Sequence, residues 1–340
     1  MEVKPYLVIA GFVIGFVLIL PAAIVFLFSG KEQAATGSPI ENETTEKVSV
    51  PEPASTLSVS VYRAQEKTIE TVPLDQYVIG VVASEMPANF ELEALKAQAL
   101  AARTYIVNYL LNPPDLNLPK GAEVTDTVMN QVYKDDKELK ALWGSDFGWK
   151  MAKITKAVEA TMGQIITYHD QPITVAFFST SNGYTESSEA YWQSALPYLK
   201  SVPSPWDRNS PKFSSTESIP VSKVDQKLGV DIEKAGSIGN VVKSTPGHRV
   251  GKVKIAGEVF SGREVREKLG LRSTDFKMKR EGDQVVITTK GWGHGVGMSQ
   301  YGANGMAKQG KEYRDIIKYY YQGVSISNLH AYTAQLTAKK

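Results

Sequence analysis

Residues 74–109, LDQYVIGVVASEMPANFELEALKAQALAARTYIVNY, decide the fold of this chain and carry its most informative charge. Leu74, Tyr77, Val78, Val81 and Val82 recur at helical spacing and form one apolar stripe, which Glu85 continues. Pro87 biases the residue before it away from the helix, so this helix stops near Met86. Leu92, Leu95, Ala99, Ala102, Ile106 and Tyr109 then alternate three and four residues apart, giving a second buried stripe that Asn112-Pro-Pro-Asp115 breaks. Glu85 is thereby expected at a corner between two packed helices, beside apolar side chains. Desolvation favours the neutral form of such a group. A carboxyl half-protonated near neutral pH requires about 3.5 kcal/mol of that preference, within reach of partial burial. A protonated carboxyl at a cleft edge can act as a general acid. A glutamate in the last turn of a helix is equally read as a solvated surface group, and that alternative stays open on spacing alone. Glu91 and Glu93 fall in the first turn of the second helix, where acids offset the macrodipole.

On the N-terminal side, residues 57–62 alternate like a strand and residues 67–72 form a plausible hairpin partner. On the C-terminal side, residues 120–133 are loop-like, and residues 150–162 look helical up to Gly163. A hairpin is expected over 164–178, with the turn at His169-Asp170-Gln171. A polar loop over 179–192 and an irregular stretch over 197–212 follow. Short elements are expected at Val250–Ile255 and Arg263–Leu269, and a strand at Val285–Thr288. A last helix near Tyr313–Tyr321 and a strand near Val324–Ile326 end the pattern. Strands arriving in hairpins rather than in regular βαβ alternation indicate an α+β class, a mixed helix and β-hairpin domain with an open groove.

The chain has 340 residues and a formal net charge of +2, which offers no footprint for nucleic acid. Residues 6–28, YLVIAGFVIGFVLILPAAIVFLF, are uncharged and span about 34 Å as a helix, enough for a bilayer core of roughly 30 Å. The run exceeds a usual signal-peptide core and no clear cleavage site follows, so a single-pass anchor is expected. The implied plan is a cytoplasmic stub over 1–5, an anchor over 6–28, a flexible Ser/Thr/Glu/Pro-rich linker over 29–56, and an extracytoplasmic catalytic domain over 57–335. The absence of cysteine excludes disulfides and thiolate metal sites.

Two further stretches hold candidate chemistry. In GWGHGVGMSQYGA (291–303) glycine occupies every second position at the start, which lets backbone approach a ligand or another chain closely. The spacing fits neither a dinucleotide fingerprint nor a P-loop. Trp292 and Tyr301 offer flat faces suited to sugar rings, and His294, Ser299 and Gln300 offer hydrogen-bonding groups. A tight structural turn with His294 bonded to backbone fits the same pattern. His169, His248 and His330 are too scattered to form a metal site with His294, so no metal is expected. In STSNGYTE (179–186), Thr180 and Ser181 supply hydroxyls, but no G-x-S-x-G frames a serine nucleophile.

The runs at 83–105 (ASEMPANFELEALKAQALAARTY), 177–192 (FFSTSNGYTESSEAYW) and 291–303, with GAEVTDTVMNQVY at 121–133, together resemble the stage II sporulation protein D family. The likeness covers nearly all of the expected exported part. It implies a lytic transglycosylase that cuts peptidoglycan during engulfment in endospore formation. The family's catalytic acid lies in its S/G-E-M-P run and maps onto Glu85. The implied product is a 1,6-anhydro-MurNAc end, formed without a cofactor or a second protein nucleophile. The implied partners are glycan strands, an amidase (stage II sporulation protein P) and a membrane protein (stage II sporulation protein M). The implied place is the mother-cell membrane facing the forespore. His294, Gln300, Tyr301, Ser299, Thr180, Ser181 and Trp292 are then candidate glycan-binding residues. Gln98 and Arg103 are candidate supports of the Glu85 corner, with Arg103 equally readable as a surface ion-pair partner. Asp126 is expected to hold a loop. Asn182 stands where family members often carry glycine, a change the left-handed turn tolerates. Some relatives bind zinc through Cys and His, which this chain cannot match. A muramidase-type hydrolase, and a branch of the wider family that enhances cell-wall amidases without cutting glycan, remain competing readings.

Overall fold

The computed structural model describes residues 57–338 apart from 115–116, 193 and 236–237, so the expected anchor and linker lie outside the described residues. β1 (Ser58–Arg63) and β2 (Thr68–Pro73) pair antiparallel, with Val61 opposite Glu70. Alternation along β1 turns Val59, Val61 and Arg63 inward. β2 runs straight into α1 (Leu74–Glu85), and α2 (Leu92–Leu111) follows after a corner of six residues, 86–91. The two helices and their stops match the spacing read from the sequence.

α2 departs from a simple stripe. Ala94, Ala97, Ala99, Ala101 and Ala102 are buried as well as Leu95, Leu100 and Ile106, so the helix is enclosed nearly all round. Alanine contributes little to an amphipathic pattern, yet its small side chain lets neighbours approach from every direction. α2 therefore forms the axis of the larger hydrophobic core. Arg103 is wholly buried there, which overturns the surface reading. Its guanidinium pairs with Asp75 at 3.2 Å and donates to the Thr161 and Val158 carbonyls at 2.8 and 3.2 Å.

After β3 (Val124–Thr125), which lies parallel to β1, come α3 (Asp136–Trp143), closed by an Asp135/Glu138 capping box, and α4 (Phe147–Glu159). β4 (Gln164–Tyr168) and β5 (Gln171–Pro172) form only the root of the hairpin expected over 164–178. The turn sits at His169 and Asp170, both with positive φ. The Ile173 N–H still bonds the Ile166 carbonyl at 3.1 Å, but beyond it the arm peels away and the Thr174 N–H bonds the Tyr198 hydroxyl instead. The freed segment continues as β6 (Phe177–Phe178), then a loop and the short α5 (Ser188–Trp192).

Residues 214–290 build a second, smaller core. β7 (Ser214–Pro220), α6 (Val221–Leu228), α7 (Ile232–Ala235), β8 (Asn240–Ser244), β9 (Val250–Ile255), β10 (Glu258–Ser261), α8 (Gly262–Leu269), β11 (Asp275–Glu281) and β12 (Gln284–Lys290) succeed one another. They make two three-stranded sheets, ordered β10-β9-β8 and β11-β12-β7. Val224, Val253, Ile255, Val265, Val285 and Ile287 fill the space between sheets and helices.

The chain then returns to the larger core. β13 (Met298–Ser299) pairs parallel with β6, and α9 (Gln300–Lys308) and α10 (Tyr313–Tyr320) pack on α2. β14 (Ser325–Asn328) pairs antiparallel with β4, and α11 (Thr333–Ala338) closes the described fold. The class is α+β. Among the described residues no helix is long and apolar enough to cross a membrane.

Candidate functional site: a carboxyl at a helix corner

Glu85 is the last residue of α1. Met86 is extended, with φ −131° and ψ 135°, as the residue before Pro87 must be. The stop leaves the half-buried Glu85 carboxyl facing the 126–133 loop, where the Val132 N–H donates to its Oε1 at 3.1 Å. The loop comes this close because Gly80 has no side chain. A Cβ there would lie 2.5 Å from the Tyr133 ring and 2.6 Å from the Lys134 carbonyl oxygen. Tyr133 stacks on Tyr77 with centroids 5.4 Å apart. The far end of the loop is tied by Asp126, which accepts the Ala64 N–H at 3.1 Å and sits 3.5 Å from the Arg63 guanidinium. Asp126 thus ties one end of the loop that meets Glu85 to β1 and its turn.

Burial pushes the Glu85 pKa up, because it penalises the ionised form, and the Val132 N–H opposes it by bonding that form. Among the described residues no second carboxylate contributes to the shift. On the other side of the helix end, Gln300 Nε2 donates to the Glu85 carbonyl at 2.9 Å and reaches Gln98 Oε1 at 3.5 Å. Among the described residues, Gln98 Nε2, the Tyr77 hydroxyl and both amide atoms of Gln131 are buried without a hydrogen-bond partner. An unmet buried polar atom costs about 1–3 kcal/mol. Gln98, Gln131 and Tyr77 are themselves buried, so these atoms are enclosed in the protein interior.

α9 clamps the corner on both sides of Pro87. Besides Gln300 on Glu85, the Tyr301 ring meets Phe90 edge-on at 4.8 Å, and Asn304 Oδ1 accepts the Glu91 N–H at 2.8 Å. The start of α9 is set by Ser299, whose hydroxyl accepts the Gly302 N–H at 3.2 Å and donates to Asp207 at 2.5 Å. Asp207 is buried and also takes the Ser204 hydroxyl at 2.5 Å, the Ser181 hydroxyl at 2.8 Å and the Ser181 N–H at 3.0 Å. Burial raises its pKa and these donors oppose the rise. Ser181 and Ser299 are therefore committed to a buried carboxylate, and Thr180 to the Ser210 hydroxyl at 3.0 Å.

The glycine loop approaches protein rather than open space. Gly291, Gly293, Gly295 and Gly297 all have positive φ. A Cβ on Gly297 would lie 2.0 Å from the Ala176 carbonyl oxygen, and one on Gly295 would lie 2.6 Å from the Arg249 guanidinium carbon. This seam joins the two cores. Trp292 packs against Arg272 at 4.3 Å and Lys212 at 4.9 Å. His294 is ringed by Phe178, Tyr191 and Trp192, and its Nδ1 accepts the Val296 N–H at 3.0 Å. Burial, then Arg266 and Arg249, push its pKa down to about 4. No hydrogen bond or ring contact links Trp292 or His294 to Glu85, Gln98 or Gln300. Of the residues singled out from sequence, the structure gathers Gln98, Gln300 and Tyr301 at the Glu85 corner, and Arg103 braces α1 from its start. Gln131, Asn130 and Tyr77 were not singled out. The first two sit in a stretch without periodicity, and Tyr77 reads only as core. Asp207 gave no signal either, since two of its partners, Ser181 and Ser299, come from distant segments. Among the described residues no group of three metal-ligating side chains converges.

Fold and site together define an α+β protein with a partly buried carboxyl, its pKa pushed up by burial, at a helix corner. The family follows from comparison with known proteins. A family model described as Stage II sporulation protein matches residues 62–168, which include Glu85, Gln98 and Gln131. The chain is 49% identical to Stage II sporulation protein D of Bacillus subtilis strain 168, over 99% of this chain and all of that protein. It is also 49% identical to the protein of the same name from Bacillus amyloliquefaciens, with the same coverage. It is 29% identical to an Amidase enhancer of Bacillus subtilis, over 73% of this chain and 40% of that protein. The chain belongs to the stage II sporulation protein D family.

Proposed function

We propose that this chain is a lytic transglycosylase that cuts the MurNAc–GlcNAc bond of peptide-stripped peptidoglycan. The observation that supports the reading is the Glu85 corner: one carboxyl, held toward its neutral form by burial, with no second carboxylate among the described residues acting on it. Ordinary glycosidases need two carboxyl groups. Here Glu85 protonates the glycosidic oxygen as the bond to C1 of MurNAc breaks through an oxocarbenium-like state. The sugar's own 6-hydroxyl then attacks C1, and the ionised Glu85 takes that hydroxyl's proton. The product is 1,6-anhydro-MurNAc, and the acid is regenerated. The Val132 N–H steadies the carboxylate between the two steps. Gln300 and Tyr301 hold the corner in register. In this reading residues 6–28 anchor the chain in the cell membrane with the catalytic part outside. Stage II sporulation proteins P and M are its working partners.

A second reading is favoured by the relationship to an amidase enhancer: a glycan-binding protein that stimulates an amidase without cutting. Mass spectra of peptide-free glycan strands incubated with the chain separate the two. Lysis yields ends one water lighter than hydrolysis, and a pure binder yields neither. Hydrolysed ends alone would make the protein a muramidase instead.

A further inference from the structure

The Glu85 corner continues along one face of α2. Gln98, Tyr105, Tyr109 and Asn112 succeed one another at spacings of seven, four and three residues, which places them on that face. At 1.5 Å per residue, Tyr105 lies about 10 Å and Tyr109 about 16 Å along the axis from Gln98. The Asn130 side chain hydrogen-bonds Tyr105, which opposes the rise in the Tyr105 pKa from burial.

The far half of this face is concave. A cavity of about 210 Å³ is lined by Tyr105, Asn108, Tyr109, Asn112, Pro114 and Thr174 among others. Tyr109 also borders a second cavity of about 510 Å³ that reaches Lys120 and Gly121. The Tyr105 and Tyr109 rings lie 6.0 Å apart and 23° from parallel, and both are half-buried. Asn112 donates to Asn108 Oδ1 at 2.9 Å, so two carboxamides sit together beside the rings. Near-parallel half-exposed tyrosines with adjoining amides match the chemistry of a sugar: apolar C–H faces for the rings, acetamido and hydroxyl groups for the amides.

We infer that the Tyr105–Asn112 face of α2 is an extended saccharide subsite, which grips the glycan strand several sugars away from the bond at Glu85. The inference rests on the glycan reading of the Glu85 corner and adds where the strand runs. It makes the protein a reader of chain length: short fragments reach only the corner, and longer strands gain the tyrosine face.

The test is binding by the full-length chain carrying Glu85→Gln, which cannot cut. The probes are N-acetylglucosamine oligomers of two and six sugars, and peptide-free glycan strands. The six-sugar oligomer is expected to bind more tightly than the two-sugar one. Tyr109→Ala is expected to remove about tenfold of that affinity while leaving the two-sugar oligomer unchanged. Asn112→Ala, at an exposed position, provides a second variant that the fold tolerates, with a smaller loss confined to the longer oligomer. Equal affinity for both lengths, or an equal loss for both in the variants, overturns the subsite. If the parent cuts glycan yet shows no length dependence, the subsite fails and the lytic reading stands. If the chain neither cuts nor binds any probe, both fail.

Discussion

Replacing Glu85 by Gln keeps size and shape. The amide oxygen still accepts the Val132 N–H, and the main-chain carbonyl still accepts from Gln300, so the corner persists. What disappears is the transferable proton. General acid–base catalysis contributes typically about 10²–10⁴-fold, or roughly 3–5 kcal/mol of barrier. A single group serving both steps should sit at or above the upper end of that range. Release of anhydro ends, followed by mass spectrometry, is expected to fall at least about 10³-fold while strands still bind. Stability moves the other way. The folded protein favours neutral Glu85, so its stabilising contribution is complete below the ordinary glutamate range and is lost as pH rises through the elevated folded-state pKa. Near neutral pH the parent therefore carries a desolvation cost that the amide does not. Glu85→Gln should melt at a higher temperature than the parent at neutral pH, and the gap should close as pH is lowered. A variant that still cuts, or that melts lower at neutral pH with the gap widening towards neutrality, refutes the assignment of Glu85 as the buried acid.

Removing Asp75 strands the Arg103 charge inside the core, so Asp75→Ala should cost about 3–5 kcal/mol, read from the urea midpoint at unchanged slope. Gly297→Ala should cost at least about 2 kcal/mol, because its φ is +79° and the new methyl would meet the Ala176 carbonyl; a near-neutral result would mean that the glycine seam yields. His294, with its pKa pushed down to about 4, stays neutral at pH 7. The unfolded chain protonates it first, so stability should drain as pH falls from about 6.5 towards 4, and Nδ1/Nε2 NMR shifts should stay constant above pH 6.

The two helices of residues 74–109 were legible because each is set by local rules. Apolar spacing placed α1, and Pro87 stopped it at Glu85. The break at Asn112 stopped α2. The chain's own order also implied that a carboxyl would end up at a packed corner. The hairpin over 164–178 was only half legible. Its first arm and turn follow local patterning, but the second arm was captured by the Tyr198 hydroxyl and by β13, contacts from far along the chain. The burial of α2 on all sides escaped pattern reading, since alanine shows little preference for a side until neighbours close in.

What the sequence determined by itself was therefore the α+β class, the helix corner and the carboxyl placed at it, because periodicity, proline and charge act over a few residues. Only the tertiary structure decided that charge's company. It drew the 126–133 loop onto α1 across Gly80, brought α9 to grip both sides of Pro87, and committed Ser181 and Ser299 to Asp207. The physical reason is distance along the chain. Gln300 and Glu85 are 215 residues apart, and no local propensity records a hydrogen bond that exists only once two cores have formed and the glycine seam has joined them.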